Sequence, residues 1–123
     1  MRPRRRFERL VERALADLPP FFQERLDNVD VIIKTRPSRE DLRFADAEPG
    51  EVLYGFYQGV PLTERGADYG MVLPDKITIF QEPLELDFRD ERSLIREVRT
   101  TVLHEIAHHF GISDEELVEM GLE

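Results

Sequence analysis

His104-Glu105-Ile106-Ala107-His108-His109-Phe110-Gly111-Ile112-Ser113-Asp114 is the stretch from which the rest of the chain can be read. Residues four apart on a helix lie one above the other, so His104 and His108 share a face. Two imidazoles so placed can hold one tetrahedral metal ion, for which zinc is the usual choice. Glu105 sits about 100° around the helix from His104. Its carboxylate can reach a metal-bound water without itself being a ligand.

The residues before the motif predict the helix it needs. Asp90 is the expected N-cap, with Ser93 as the alternative. Leu94, Ile95, Val98, Val102, Ile106 and Phe110 recur at steps of three and four as one apolar stripe. His104 and His108 fall on a neighbouring face with Glu97 and Thr101. His109 falls within the stripe and reads as a packed residue or one that supports the ligands from behind, not as a ligand. The bland alternative makes His104 and His108 ordinary surface histidines. All three histidines of the chain lie in this one motif, which weighs against it.

A catalytic zinc site usually has three protein ligands and an open position. Gly111 is placed to end the helix in the left-handed conformation and turn the chain back. Asp114, three residues on, is the expected third ligand, with Glu115 as its substitute. Ser113 or Asp114 can also cap a short helix through Leu117, Val118 and Met120, and capping competes with ligation for Asp114.

The pattern H-E-x-x-H-x-x-G-x-x-D resembles the metzincin template with Asp in place of the third His, as in snapalysin-type peptidases. Met120 lies too close to Asp114 to serve as the metzincin Met-turn, so metzincin membership is not implied. The chain resembles more specifically the small bacterial zincin-like metallopeptidase family, a minimal zincin. The segments carrying the resemblance are HEIAHHFGISDEEL and Tyr54-Gly55-Phe56-Tyr57-Gln58-Gly59-Val60-Pro61-Leu62-Thr63-Glu64-Arg65. The resemblance implies a compact zincin-like α+β fold. It also implies one Zn2+ per chain at His104, His108 and Asp114, with Glu105 as general base.

At 123 residues the chain reads as a single domain, 1–123, with one core. There is no cysteine, which excludes disulfides and Cys-based zinc sites and suits a reducing cytoplasm. No apolar run is long enough to span a bilayer, and the N-terminus lacks the apolar segment of a secretion signal. A net charge of −9 argues against a general nucleic-acid surface. The arginine-rich residues 1–6 read as a flexible basic arm.

Phe7, Leu10, Val11, Ala14, Leu15 and Leu18 predict a helix that ends at Pro19-Pro20, with a short second helix through Leu26. Val29 to Lys34 predicts a first strand, stopped by Pro37. Residues 38–50 read as a loop with a helical turn. Val52 to Tyr57 predicts a second strand and Lys76 to Phe80 a third, ended by Pro83. The order implies α+β architecture: a small mixed sheet of about three strands with the long motif helix packed against it. The connection from Gln58 to Asp75 is long enough for a binding loop and carries Glu64, Arg65 and Tyr69, but it reads rather as an ordinary surface loop pinned by Pro61 and a local Glu-Arg contact.

The chemistry expected is hydrolysis of a peptide or protein substrate. An edge strand beside the motif helix, either the second or the third, would pair with an extended peptide. Two rivals remain at this level. One is a metal-dependent ribonuclease, since H-x-x-x-H-x-x-x-x-x-H sites share the first and third spacings. The other is a non-catalytic binding module on the same scaffold.

Overall fold

A computed structural model describes residues 1–59 and 74–122. Glu64, Arg65 and Tyr69 of the long connection lie outside the described residues. The elements are α1 (Arg4–Ala16), α2 (Pro20–Arg25), β1 (Val29–Lys34), α3 (Arg39–Phe44), β2 (Gly55–Gln58), β3 (Asp75–Phe80), α4 (Gln81–Asp87), α5 (Glu91–His109) and α6 (Asp114–Glu119). This is the α+β arrangement expected, with a three-stranded mixed sheet.

The strand order is β1-β3-β2. β1 runs parallel to β3 with Val31 opposite Ile77, and β2 runs antiparallel to β3 with Tyr57 opposite Ile77. The central place suits β3, because its residues alternate between two covered faces. Ile77 and Ile79 point to the helical layer and are fully buried, as is Phe80 on the opposite face. The central position removes β3 as a candidate edge strand and leaves β2, of the two considered.

The core lies between the sheet and the helices α1 and α5. Phe7, Leu10, Val11 and Ala14 of α1 meet Leu94, Val98, Val102, Leu103 and Ile106 of α5 over Ile77 and Ile79. Each fully buried Leu, Ile or Val side chain of this kind contributes roughly 1.5–3 kcal/mol. Asp90 caps α5 as expected, accepting from the Ser93 amide at 3.0 Å. The stripe differs from the expectation at its end. Phe110 is the C-cap and is 48% exposed, while Leu103 and Ala107 are buried. The helix stops at His109, so Phe110 lies past the point where the stripe still faces the core.

The other face of the sheet is covered more thinly. Phe56 of β2 lies between Phe80 and Phe44 of α3, at ring-centroid distances of 5.9 and 5.1 Å. α3 is more than the helical turn expected. Ser38 accepts from the Asp41 amide and Asp41 accepts from the Ser38 amide, a reciprocal capping box. Pro83 does not end β3. The strand ends at Phe80, and Pro83 is the third residue of α4, where no intrahelical amide is needed.

Residues 1–6 are not the flexible basic arm that their composition suggests. Arg4 to Arg6 form the first turn of α1. The Arg2 amide and guanidinium both donate to the buried Glu85 carboxylate, at 3.1 and 2.7 Å. Gln81 donates to the Arg2 carbonyl and to Glu85, both at 2.7 Å. Arg4 donates to Gln81, to the Ile33 carbonyl and to Thr35, and Arg6 pairs with Glu91. These guanidinium groups are directed at the chain's own acceptors.

Burial alone would raise the Glu85 carboxyl, but the hydrogen bonds from Gln81 and Arg2 outweigh it and hold it below the usual carboxylate range. A depressed folded-state pKa means stability that is present at neutral pH and lost as pH falls through that pKa. Glu85→Gln is therefore expected to lose about 1.5–3 kcal/mol at pH 7, the worth of charge-assisted hydrogen bonds. In denaturant unfolding the gap to wild type should narrow below about pH 4.3, the ordinary glutamate value. A gap that stays constant down to pH 3 would show that the charge is not what holds this corner.

Candidate metal centre

The site is built by one helix, the turn after it and the edge of the sheet. With the stripe of α5 in the core, the helix presents His104, Glu105 and His108 away from α1. The His104 and His108 rings lie 5.9 Å apart, as expected for neighbours one turn apart. His108 is half exposed and thus open to solvent. Glu97, about two turns before His104, is raised above the usual carboxylate range by burial, with His104 pulling the other way.

Gly111 performs the turn as read from the sequence. Its φ is +76°, a conformation that side chains rarely adopt. The Gly111 amide donates to the His108 carbonyl at 3.1 Å and the Ile112 amide to the Ala107 carbonyl at 2.8 Å. These are the two bonds of a Schellman motif, which satisfies carbonyls the helix end would otherwise leave open. The chain then reverses into α6, held by the fully buried Leu117.

The competition for Asp114 is resolved by its neighbour. Ser113 is the N-cap of α6 and accepts from the Glu116 amide at 3.2 Å. Asp114 is left to approach His108, with Oδ1 2.9 Å from Nε2. The hydrogen bond with His108, more than its charge and that of His104, holds the Asp114 carboxyl below the usual range. Glu115 is exposed, and none of the described contacts joins it to either histidine.

Two donors at 2.0–2.1 Å from a tetrahedral zinc stand about 3.3 Å apart, so the His108–Asp114 spacing is close to a ligand–ligand edge. Among the described residues no three donors already converge at ligating distances. The donor set of two imidazoles and one carboxylate is nevertheless of the type that zinc takes. The residues fit the ion in donor type, and the His108–Asp114 pair fits it in spacing.

Glu105 is placed by the sheet. Its Oε1 accepts from the Tyr57 amide of β2 at 2.9 Å. Burial pushes its carboxyl above the usual carboxylate range, while the Tyr57 amide and the imidazoles of His108 and His104 pull it back. A carboxylate whose proton affinity is raised in this way suits a general base.

His109 is not in the apolar stripe. Its ring stacks on Tyr57 with centroids 4.1 Å apart, and its side chain is about a third exposed (35%). Tyr57 in turn donates its hydroxyl to Asp75 at 2.6 Å. Sequence reading did not connect Tyr57, Asp75 and His109. They come from three elements, and only strand register brings them together.

No curated protein matches the chain. Among solved structures, a conserved hypothetical protein from Thermus thermophilus is similar over 96% of this chain and 99% of its own, with 25% sequence identity and a TM-score of 0.54. The profile of the zincin-like metallopeptidases matches residues 26–122, which include the whole sheet, α5 and the turn to Asp114. The chain belongs to the zincin-like metallopeptidase family.

Proposed function

We propose that the protein is a zinc-dependent peptide hydrolase, with His104, His108 and Asp114 holding one Zn2+ and Glu105 acting as general base. The observation that carries this reading is the meeting of Asp114 with His108 across the Gly111 turn. Ser113 takes the capping role, and among the described contacts the carboxylate of α6 that meets a histidine is the one the spacing calls for.

Bound zinc would supply a water of lowered pKa and polarise the scissile carbonyl. The chain's own groups do the rest. Glu105 takes the proton from the attacking water and delivers it to the leaving amine. The Tyr57 amide fixes one oxygen of Glu105, so the other is left to face the water. Asp114 orients His108 through its Nε2 side until the metal is present. β2 has β3 as its neighbour on one side only among the described residues. Its other edge, apart from the Tyr57 amide that Glu105 engages, is where an extended peptide would lie.

Metal content is the direct test. Wild type purified without chelator is expected to carry one zinc per chain, and Asp114→Ala to lose most of it, as measured by elemental analysis. Wild type that stays empty after reconstitution would remove the hydrolase reading and leave a scaffold that binds without catalysis.

Glu105→Gln should keep its zinc and lose peptide hydrolysis by about 10²–10⁴-fold, the usual worth of a general base. The same substitution has a stability consequence in the metal-free protein. A raised folded-state pKa means that stability falls as pH rises through it. Apo Glu105→Gln should therefore melt at least as high as apo wild type at pH 7, and the advantage should vanish at pH 4. A variant that still hydrolyses would remove Glu105 from the base role.

An anionic Asp ligand leaves the centre less positive than three neutral imidazoles would. Its water is then less acidified, and the rate is expected to rise from neutral toward alkaline pH. A pH–rate profile with an acidic optimum would contradict the assignment.

A further inference from the structure

β2 lies along α5 in a matched register. Gly55 faces Thr101: a Cβ on Gly55 would stand 3.3 Å from Thr101 Cγ2 and 2.5 Å from the Thr78 carbonyl oxygen. Two residues on, the Tyr57 amide meets the Glu105 carboxylate at 2.9 Å. Two residues further, a Cβ on Gly59 would stand 2.9 Å from His109 Cε1. Positions 55, 57 and 59 thus meet positions 101, 105 and 109. The match has a geometric basis. Two strand residues advance about 6.6–6.8 Å, and four helix residues advance about 6.0 Å. Side chains at alternate strand positions point to the same face, and register with Ile77 and Ile79 makes it the helical face.

Only the middle contact of the three involves a group with a role in the proposed chemistry. The two flanking glycines let the strand come close enough for it. Close approach does not by itself stop the strand from sliding, and at the C-terminal end His109 supplies the stop. Its ring lies against Tyr57 at 4.1 Å with the planes 30° apart, while the Tyr57 hydroxyl is tied to Asp75 on β3. The Tyr57 side chain is thereby held between helix and sheet. A one-residue slip of β2 would turn the 55/57/59 set to the opposite face and take the Tyr57 amide from Glu105.

We propose that His109 is a positioning residue: stacked on Tyr57 and seated against Gly59, it locks β2 in register on α5 so that the Tyr57 amide aims the Glu105 carboxylate. The catalytic part of this inference rests on the peptidase reading above; the structural part does not. The face-sharing His104 and His108 are the metal donors, and the adjacent His109 has a different task on a different face. Gly59 is its complement, since any side chain there would collide with the ring.

The test is a double-mutant cycle of Gly59→Ala and His109→Ala, with His109→Phe as the conservative variant that keeps a flat ring on Tyr57. The first readout is hydrogen exchange of the Tyr57 amide by NMR, which needs neither metal nor substrate. Wild type should protect this amide. His109→Ala should lower its protection at least tenfold relative to the central-strand amides of β3, and His109→Phe should restore most of it. Gly59→Ala should lower protection in the wild-type background and change little in the His109→Ala background, because the ring it would strike is gone. The second readout is kinetic. With zinc loaded, Gly59→Ala and His109→Ala should each lower kcat by about 10–100-fold with KM within about threefold, as expected for a base displaced by a fraction of an ångström.

Equal effects of Gly59→Ala with and without His109 would overturn the proposal. So would a Tyr57 amide that exchanges as fast in wild type as in His109→Ala. Wild-type protein that binds zinc yet cleaves no peptide would sink the peptidase reading alone, while the exchange cycle would still decide whether His109 sets the register.

Discussion

The burial of α5 is the constraint on which the rest depends. Leu94, Val98, Val102, Leu103, Ile106 and Ala107 are in the core, packed on α1 and on Ile77 and Ile79. A helix with that much apolar surface on one side has one favourable rotation about its axis. That rotation alone decides where His104, Glu105 and His108 point. The chemistry-bearing residues need no local strain to lie outside the α1–α5 core, because the stripe faces inward and leaves them on the other faces of the helix, His108 exposed and His104 and Glu105 partly covered.

The end of the helix is as consequential as its rotation. Gly111 closes α5 with two backbone hydrogen bonds and sends the chain back over the last turn. Leu117 then anchors α6 by full burial. Asp114 is thus set by a backbone turn at one end and a core contact at the other, with Ser113 satisfying the helix terminus between them. A carboxylate in an unconstrained tail would lose its full conformational freedom on binding a metal; here most of that ordering is already complete.

The Glu105 site shows a tension between stability and chemistry. Burial raises the proton affinity of its carboxyl, which disfavours the charged form in the folded chain. The hydrogen bond from the Tyr57 amide partly compensates. The sheet supplies this donor only because β3, and not β2, is central, so that β2 has a side turned to the helix. Gly55 and Gly59 are the positions at which a side chain would hold strand and helix apart.

Local chemistry was legible in the chain order: the stripe of α5 with its Asp90 cap, the two-histidine face, the Gly111 turn and the spacing to Asp114. All of these act within about twenty-five residues, and each follows from helix periodicity or from the φ preference of glycine. The α1 helix and the approximate positions of three strands were legible for the same reason. Sequence reading overreached at Phe110, whose hydrophobicity fits the stripe although the helix ends before it, and at Pro83, which permits a helical first turn as readily as it ends a strand. It could not show that residues 1–6 dock on Glu85 and Gln81, because those partners lie some eighty residues away. Strand order, the Tyr57–Glu105 contact and the Tyr57–His109–Asp75 cluster were likewise decided only by tertiary structure. Period-two alternation says which face a side chain takes, but not which strand or helix lies beside it; that choice is made by packing between segments distant in the chain.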